Sequence, residues 1–193
     1  MTPEDLRLEG QSKRLGLQMT AVVCDGPHGK EYRLPTAIEL SAAQMAAENL
    51  RDVAAALPHG IPDEPIPQGA SRAGGGSAFT LGMYGVESWH QIHTPRQLRS
   101  LLEFARATRA SAQGASYGSL WSEAISAYLS IAFDKLADRL SPQCIWISTN
   151  AEKPSGTFTR FALPITWDFV EVMPWAETAG GFSGSLEHVA EFM

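Results

Sequence analysis

Cysteine is scarce in this chain, with two in 193 residues. Cys24 and Cys144 stand far apart, each in an apolar stretch without a second cysteine or a histidine at metal-ligand spacing, so each is expected to be a free thiol inside the fold. A basic surplus is missing as well. Lys and Arg total 15 against 21 Asp and Glu, a formal net charge of -6. A free-standing nucleic-acid binder usually carries an excess of cations to meet phosphates, so any DNA contact here must come from a local patch. Long apolar runs are absent too. No stretch reaches the roughly eighteen apolar residues of a membrane span, and Met1 to Asp5 show no basic region leading into an apolar run. The chain is therefore expected in the cytoplasm, away from membranes.

What remains is an ordinary globular composition, 44% hydrophobic and 19% charged, long enough for one core with a satellite lobe. Thr2-Pro3-Glu4-Asp5 reads as a helix start, with a capping threonine, a proline at the first helical position and acids at the positive end of the dipole. That helix is predicted to run to about Leu15 and stop at Gly16. Leu17 to Cys24 is apolar and β-branched, Asp25 to Gly29 carries turn chemistry, and Glu31 to Leu34 returns as a second strand, so a hairpin is expected. Thr36 and Glu39 form a capping box for an alanine-rich helix from Ala37 to about Ala56.

Pro58, Pro62, Pro65 and Pro67, followed by Gly69 and Gly74-Gly75-Gly76, mark residues 58–78 as a connector between a lobe of residues 1–57 and a mainly helical domain of residues 79–193. Beyond an irregular aromatic stretch from Phe79 to Trp89, Thr94-Pro95 opens a helix to about Ala112, and Gly114 to Gly118 breaks it. A longer helix from about Ser119 to Leu140 is apolar around most of its circumference, from Leu120 and Trp121 to Phe133 and Leu136, and is expected to be central and buried. A short strand at Cys144 to Ser148, a polar loop at Asn150 to Gly156, a helix from Pro164 to about Val172 ended by Pro174, and a last helix from Ser185 complete the reading. The fold class is α+β and predominantly α-helical: a small N-terminal hairpin with helices, then a bundle-like C-terminal part.

Sequence patterns that resemble reactive sites lack their context. Gly114-Ala115-Ser116-Tyr117-Gly118 matches the nucleophile-elbow spacing, but a helix rather than a strand precedes it. Ala73 to Ser77 is glycine-rich but follows prolines, so it reads as linker. His90 and His93 could share a helical turn, yet no third ligand lies near in sequence, and surface or capping roles are favoured. No catalytic, cofactor-binding or metal-binding residue is assigned. More informative is the helix from Thr94. At roughly 3.6 residues per turn, Arg96, Arg99, Arg106 and Arg109 share one broad arc, while Leu98, Leu101, Leu102 and Phe104 occupy much of the rest. The stripe could be a solvated face, a phosphate-backbone contact or an interface with acidic protein. Lys153 and Arg160 flank a polar turn that could likewise meet a sugar-phosphate backbone or stay solvated. The late aromatics Trp146, Phe158, Phe161, Trp167, Phe169 and Trp175 are expected to pack in the core.

Several stretches together resemble one family. They are Asp5-Leu6-Arg7-Leu8-Glu9-Gly10 through Arg14-Leu15-Gly16, Gln18-Met19-Thr20-Ala21-Val22-Val23, Tyr84-Gly85 with Trp89, and Thr94-Pro95-Arg96-Gln97-Leu98. Tyr128-Leu129 with Asp134-Lys135-Leu136-Ala137-Asp138, Cys144-Ile145-Trp146, and Leu163-Pro164-Ile165-Thr166-Trp167-Asp168-Phe169-Val170-Glu171 before Pro174 complete the set. In this order, over nearly the whole chain, they resemble prokaryotic adenine-specific DNA methylases with an internal zinc ribbon, large proteins associated with anti-phage defence. The resemblance implies S-adenosylmethionine as cofactor of the complete enzyme, bound by a Pro-Phe-x-Gly-x-Gly loop lying before this region, and catalysis by an Asp-Pro-Pro-Tyr motif lying after it. The sequence contains neither motif, nor the ribbon's Cys-x-x-Cys pairs, and His93 replaces an aromatic. The resemblance thus implies a non-catalytic segment or subunit that helps position duplex DNA, with a split gene or an accessory protein both open and a partner chain supplying the missing motifs. The alternative is a module that docks on the catalytic domain without touching DNA.

Overall fold

A computed structural model of the chain describes residues 1–67, 79–114, 118–149, 152–159, 162–178 and 180–192. Helix α1 spans Pro3–Gln11 and begins as expected: Thr2 and Asp5 exchange the two bonds of a capping box. It ends a turn earlier than predicted, at Gln11, because Ser12 turns the chain and Lys13 enters the left-handed region at φ 57°. The hairpin follows, with strands β1 (Val22–Gly26) and β2 (Gly29–Arg33) in register from Val22 opposite Arg33 to Gly26 opposite Gly29. Pro27 and His28 make a two-residue loop, and Gly29, at φ 131°, takes a conformation that suits only glycine.

The single helix predicted for 37–56 is two helices, α2 (Ala37–Glu48) and α3 (Leu50–Ala55), separated at Asn49, whose backbone leaves the helical region at φ -94° and ψ 5°. The break re-aims the second piece so that Ala54, with Leu50 and Val53 beside it, meets Leu98 and Leu102. Thr36 and Glu39 cap α2 reciprocally as expected, and Arg33 grips both Glu39 oxygens at 2.9 and 2.6 Å. The Arg33 guanidinium and the Thr36 groups hold the Glu39 carboxyl down to about 2.

Helix α4 (Pro95–Gly114) and helix α5 (Ser119–Ala137) pack together, and α6 (Phe182–Ala190) packs on α5. Leu101, Leu136 and Leu140 form the buried centre of that layer, with Phe104, Phe133 and Phe182 around them. A separate cluster of Ile66, Leu81, Ile92 and Leu163 lies under the 3-10 turns Leu81–Tyr84 and Trp89–Ile92. The expected helix at 164–172 is absent. Its backbone groups are drawn elsewhere: Leu163 bridges to Phe79, and the Val170 N–H donates to the Cys144 carbonyl at 2.8 Å. The loop expected at 150–156 is in part a paired strand, β4 (Lys153–Pro154), against β3 (Trp146–Ile147). Of the connector expected at 58–78, residues 68–78 lie outside the described residues, while Ile66 is buried and Pro65 pairs with Ser88.

The α5 helix differs most from expectation. Ala132 and Leu136 are fully buried, but Leu120 is 80% exposed, Trp121 69%, Ile131 49% and Tyr128 41%. Apolar residues cover most of the circumference, yet α4 and α6 cover only part of it.

Helix α1 is locked to the rest by glycines in mutual contact. A Cβ on Gly85 would come within 2.6 Å of the Gly10 carbonyl oxygen, and one on Gly10 equally close to that of Tyr84. Lys13 Nζ also donates to the Gly85 carbonyl, and Gln11 Nε2 donates to that of Met83 at 3.2 Å. Gly85 has φ 79° and this clash, whereas Gly60 has φ 64° and open space. Gly60→Ala should therefore cost only its backbone strain, about 1 kcal/mol, and Gly85→Ala should cost about 2 kcal/mol or more. Urea midpoints of the two variants check this; equal losses would mean that the α1 contact contributes nothing.

Candidate binding surfaces

The cationic stripe is fixed by the cap of α4. Thr94 Oγ1 accepts from the Gln97 N–H at 3.2 Å and Gln97 Oε1 accepts from the Thr94 N–H at 2.9 Å, with both residues buried. This capping box fixes the start of α4, from which the arginines are counted. The structure then separates those arginines. Arg96 is half-buried, and its Nε and Nη2 both donate to Glu171 Oε2 at 2.9 Å, so its charge is spent inside the molecule. Arg106 donates to Glu103 one turn back. Among the described residues neither Arg99 nor Arg109 has an ion-pair partner; Arg99 is half-buried and Arg109 exposed. The stripe thus presents two free guanidiniums and one screened by a neighbouring carboxylate.

Lys153 is exposed on β4, and Arg160 lies outside the described residues. The turn between them is not a solvated polar loop. Pro154, Ser155, Gly156 and Thr157 are buried against the end of α5. The Thr157 N–H and Oγ1 both donate to the Asp138 carbonyl at 2.7 Å, and the Phe158 N–H donates to Asp138 Oδ1 at 3.0 Å. Of the late aromatics, Trp146 and Phe169 are half-buried, but Phe158 is 60% exposed, Trp167 54% and Trp175 64%, which corrects the expectation of core packing for those three. Trp167 stacks edge-on against Tyr84 at 5.7 Å. Phe161 lies outside the described residues.

The two histidines do not act together. His90 Nδ1 bonds to the Pro62 carbonyl at 3.0 Å, while His93 Nδ1 bonds to the Leu140 carbonyl at 2.6 Å. A carbonyl only accepts, so each ring carries its proton on Nδ1. Among the described residues no group of three metal-ligating side chains occurs. Gly114 closes α4 and Gly118 caps α5, so a helix precedes the elbow-like pattern; Ser116 and the Ala73 to Ser77 stretch lie outside the described residues. Cys144 is fully buried beside Asp138 and Thr157, whereas Cys24 on the hairpin is half-buried.

The apolar surface of α5 is what sequence reading missed. Leu120, Ala124 and Ile131 together with Trp121 and Tyr128 lie within an arc of about 100°. A helix apolar over most of its circumference is normally buried, so the pattern alone pointed the other way. Compared with protein-family models, with curated proteins and with solved structures, the chain matches none. No helix among the described residues is long and apolar enough to cross a membrane.

His93 gives a signature of the folded state. Burial outweighs the Leu140 bond and pushes its imidazole below the ordinary 6.5. Below that value the unfolded chain binds the proton more readily than the folded one. The stability from neutral His93 is therefore complete above pH 6.5 and is lost as pH falls through the lower folded value. Urea midpoints measured between about pH 7.5 and pH 5 should decline on acidification, and His93→Gln should flatten that decline; an unchanged slope would exclude His93 as its source.

Proposed function

We propose that this chain performs no chemistry of its own and serves as a docking module of an adenine-specific DNA methyltransferase, meeting the catalytic domain through the exposed apolar arc of α5. The observation that carries the reading is that arc. Trp121 and Tyr128 offer large rigid contact area of the kind that dominates binding energy. Contiguous apolar surface of this sort is usually covered in the working assembly. The identity of the partner rests on the resemblance noted above, in which the cofactor loop and the Asp-Pro-Pro-Tyr motif belong outside this region. The methyl donor would be held, and the adenine amine activated, by that partner.

A second reading is favoured by the free guanidiniums of Arg99 and Arg109. In it the module also touches duplex DNA through α4, with Arg106 helping once Glu103 is displaced and Lys153 and Arg160 as outlying contacts. Such contacts would set position rather than read sequence.

Mixing the purified chain with a methyltransferase polypeptide carrying both motifs should give a stoichiometric complex by analytical ultracentrifugation. The double variant Trp121→Glu, Ile131→Glu should weaken it at least about tenfold without lowering the thermal midpoint, since both side chains are exposed. Absence of a complex with the wild-type chain would end the docking reading. For the second reading, Arg99→Glu with Arg109→Glu should lower DNA affinity for all sequences alike and reduce the salt slope by about two. Binding that ignores the pair would rule the stripe out.

A further inference from the structure

Away from α4 and α5 a groove of about 530 Å³ opens between the end of α3 and the segment that pairs with the Trp89–Ile92 turn. Its floor is apolar, from Leu57 and Ile61, which pack onto the cluster of Ala54, Leu98 and Leu102. Its rim is polar and carries Arg51, His59, Asp63 and His90. The depression is shallow and open to solvent.

The rim is held by backbone bonding rather than by its own charges. The Ile66 N–H donates to the Glu87 carbonyl at 2.7 Å, the Trp89 N–H to the Glu64 carbonyl at 3.1 Å, and the His90 N–H to the Pro62 carbonyl at 3.1 Å. That same Pro62 carbonyl accepts His90 Nδ1 at 3.0 Å. The ring is thereby oriented, and its Nε2 is left with a lone pair for an incoming N–H. Arg51 and Asp63 share the groove but do not pair. Among the described residues neither takes part in an ion pair or a side-chain hydrogen bond. On other surfaces Arg33 pairs with Glu39 and Arg14 with Glu9. The groove thus presents one unpaired guanidinium, one unpaired carboxylate and one fixed acceptor above an apolar floor.

We propose that this groove binds a small zwitterion with an apolar body, of the free amino-acid class. The carboxylate of the ligand meets Arg51, its ammonium meets Asp63 and His90 Nε2, and its side chain lies on Leu57 and Ile61. A guanidinium takes a carboxylate through parallel N–H donors, which gives direction as well as affinity. A ligand carrying both charges satisfies Arg51 and Asp63 together, whereas a simple anion or a simple cation satisfies only one of them.

The test is titration of the full chain, followed by protein NMR at the Arg51 and His90 side chains, with four probes: leucine, 4-methylpentanoate, isopentylamine and inorganic phosphate. Leucine should bind with saturable shifts at both residues, and loss of either charge in the next two probes should weaken binding at least about tenfold. Arg51→Gln should erase the difference between leucine and isopentylamine, and Asp63→Asn the difference between leucine and 4-methylpentanoate. Both residues are exposed, so unchanged thermal midpoints should verify that the variants fold. Saturable binding of phosphate in preference to leucine would overturn the zwitterion assignment in favour of a plain anion site. Absence of shifts with every probe would overturn the site itself.

Discussion

The rest of the structure depends on three leucines of α4 serving two cores at once. Leu98 and Leu102 pack with Ala54, and Leu101 packs with Leu136 and Leu140. Adjacent positions on one helix thus bind the N-terminal lobe on one side and the α5–α6 layer on the other. Such a hub must be held in rotation as well as in position, since turning α4 by one residue would strip both clusters. The capping box of Thr94 and Gln97 supplies that constraint, and it is buried rather than at the surface. Its cost is visible: Gln97 Nε2 is buried without a partner, a penalty of about 1–3 kcal/mol. Glu171 adds a second restraint at the same end, where its carboxylate takes Arg96 next to the positive pole of α4.

The irregular segment that follows α5 is fixed by polar bonds centred on Asp138. Its carbonyl accepts from Thr157 twice and its carboxylate from Phe158, while Ser141 and Thr157 share a hydroxyl bond at 2.8 Å. A side chain at Gly156 would push the Asp138 carboxylate away from the Phe158 N–H that it accepts. In this region satisfied hydrogen bonds replace the apolar periodicity that organises the helices, and the backbone of 163–170 goes into bridges rather than into a helix.

That difference explains how far the sequence could be read. Local signals were legible: the caps at Thr2, Thr36 and Thr94, the hairpin around Pro27 and His28, and the helices α1, α2, α4, α5 and α6 all follow from residue type and spacing. The predominantly helical α+β class followed from them. Non-local choices were not legible. Nothing near Asn49 distinguishes one helix from two, because the break is set by what α3 meets on α4. Pro164 and Pro174 bracket a plausible helix, and only the carbonyl of Cys144, far off in sequence, shows why the backbone does otherwise. At the surface, the arginine arc was legible as a pattern while its pairing was not, since Glu171 lies 75 residues from Arg96. The exposure of Trp121 and Ile131 was opposite to expectation, because periodicity reports which faces are apolar and cannot report which faces find cover.

The two surfaces differ in what each can accomplish alone. Two unpaired guanidiniums on a body of net charge -6 give a salt slope of only about -1.8 for duplex DNA, far below the several phosphate contacts of a stable complex. Two such contacts hold DNA weakly unless something else brings the strand close. An aromatic-bearing helix face has no such dependence, because burial of Trp and Tyr is insensitive to salt and supplies most of its energy locally. On the docking reading, α5 therefore acts first, and α4 would gain DNA contact only through the high effective concentration created once a larger, DNA-holding partner is engaged. If the docking reading holds, magnitudes set that order: the apolar contact would anchor the module, and the weak contacts of Arg99 and Arg109 would count only after it had formed.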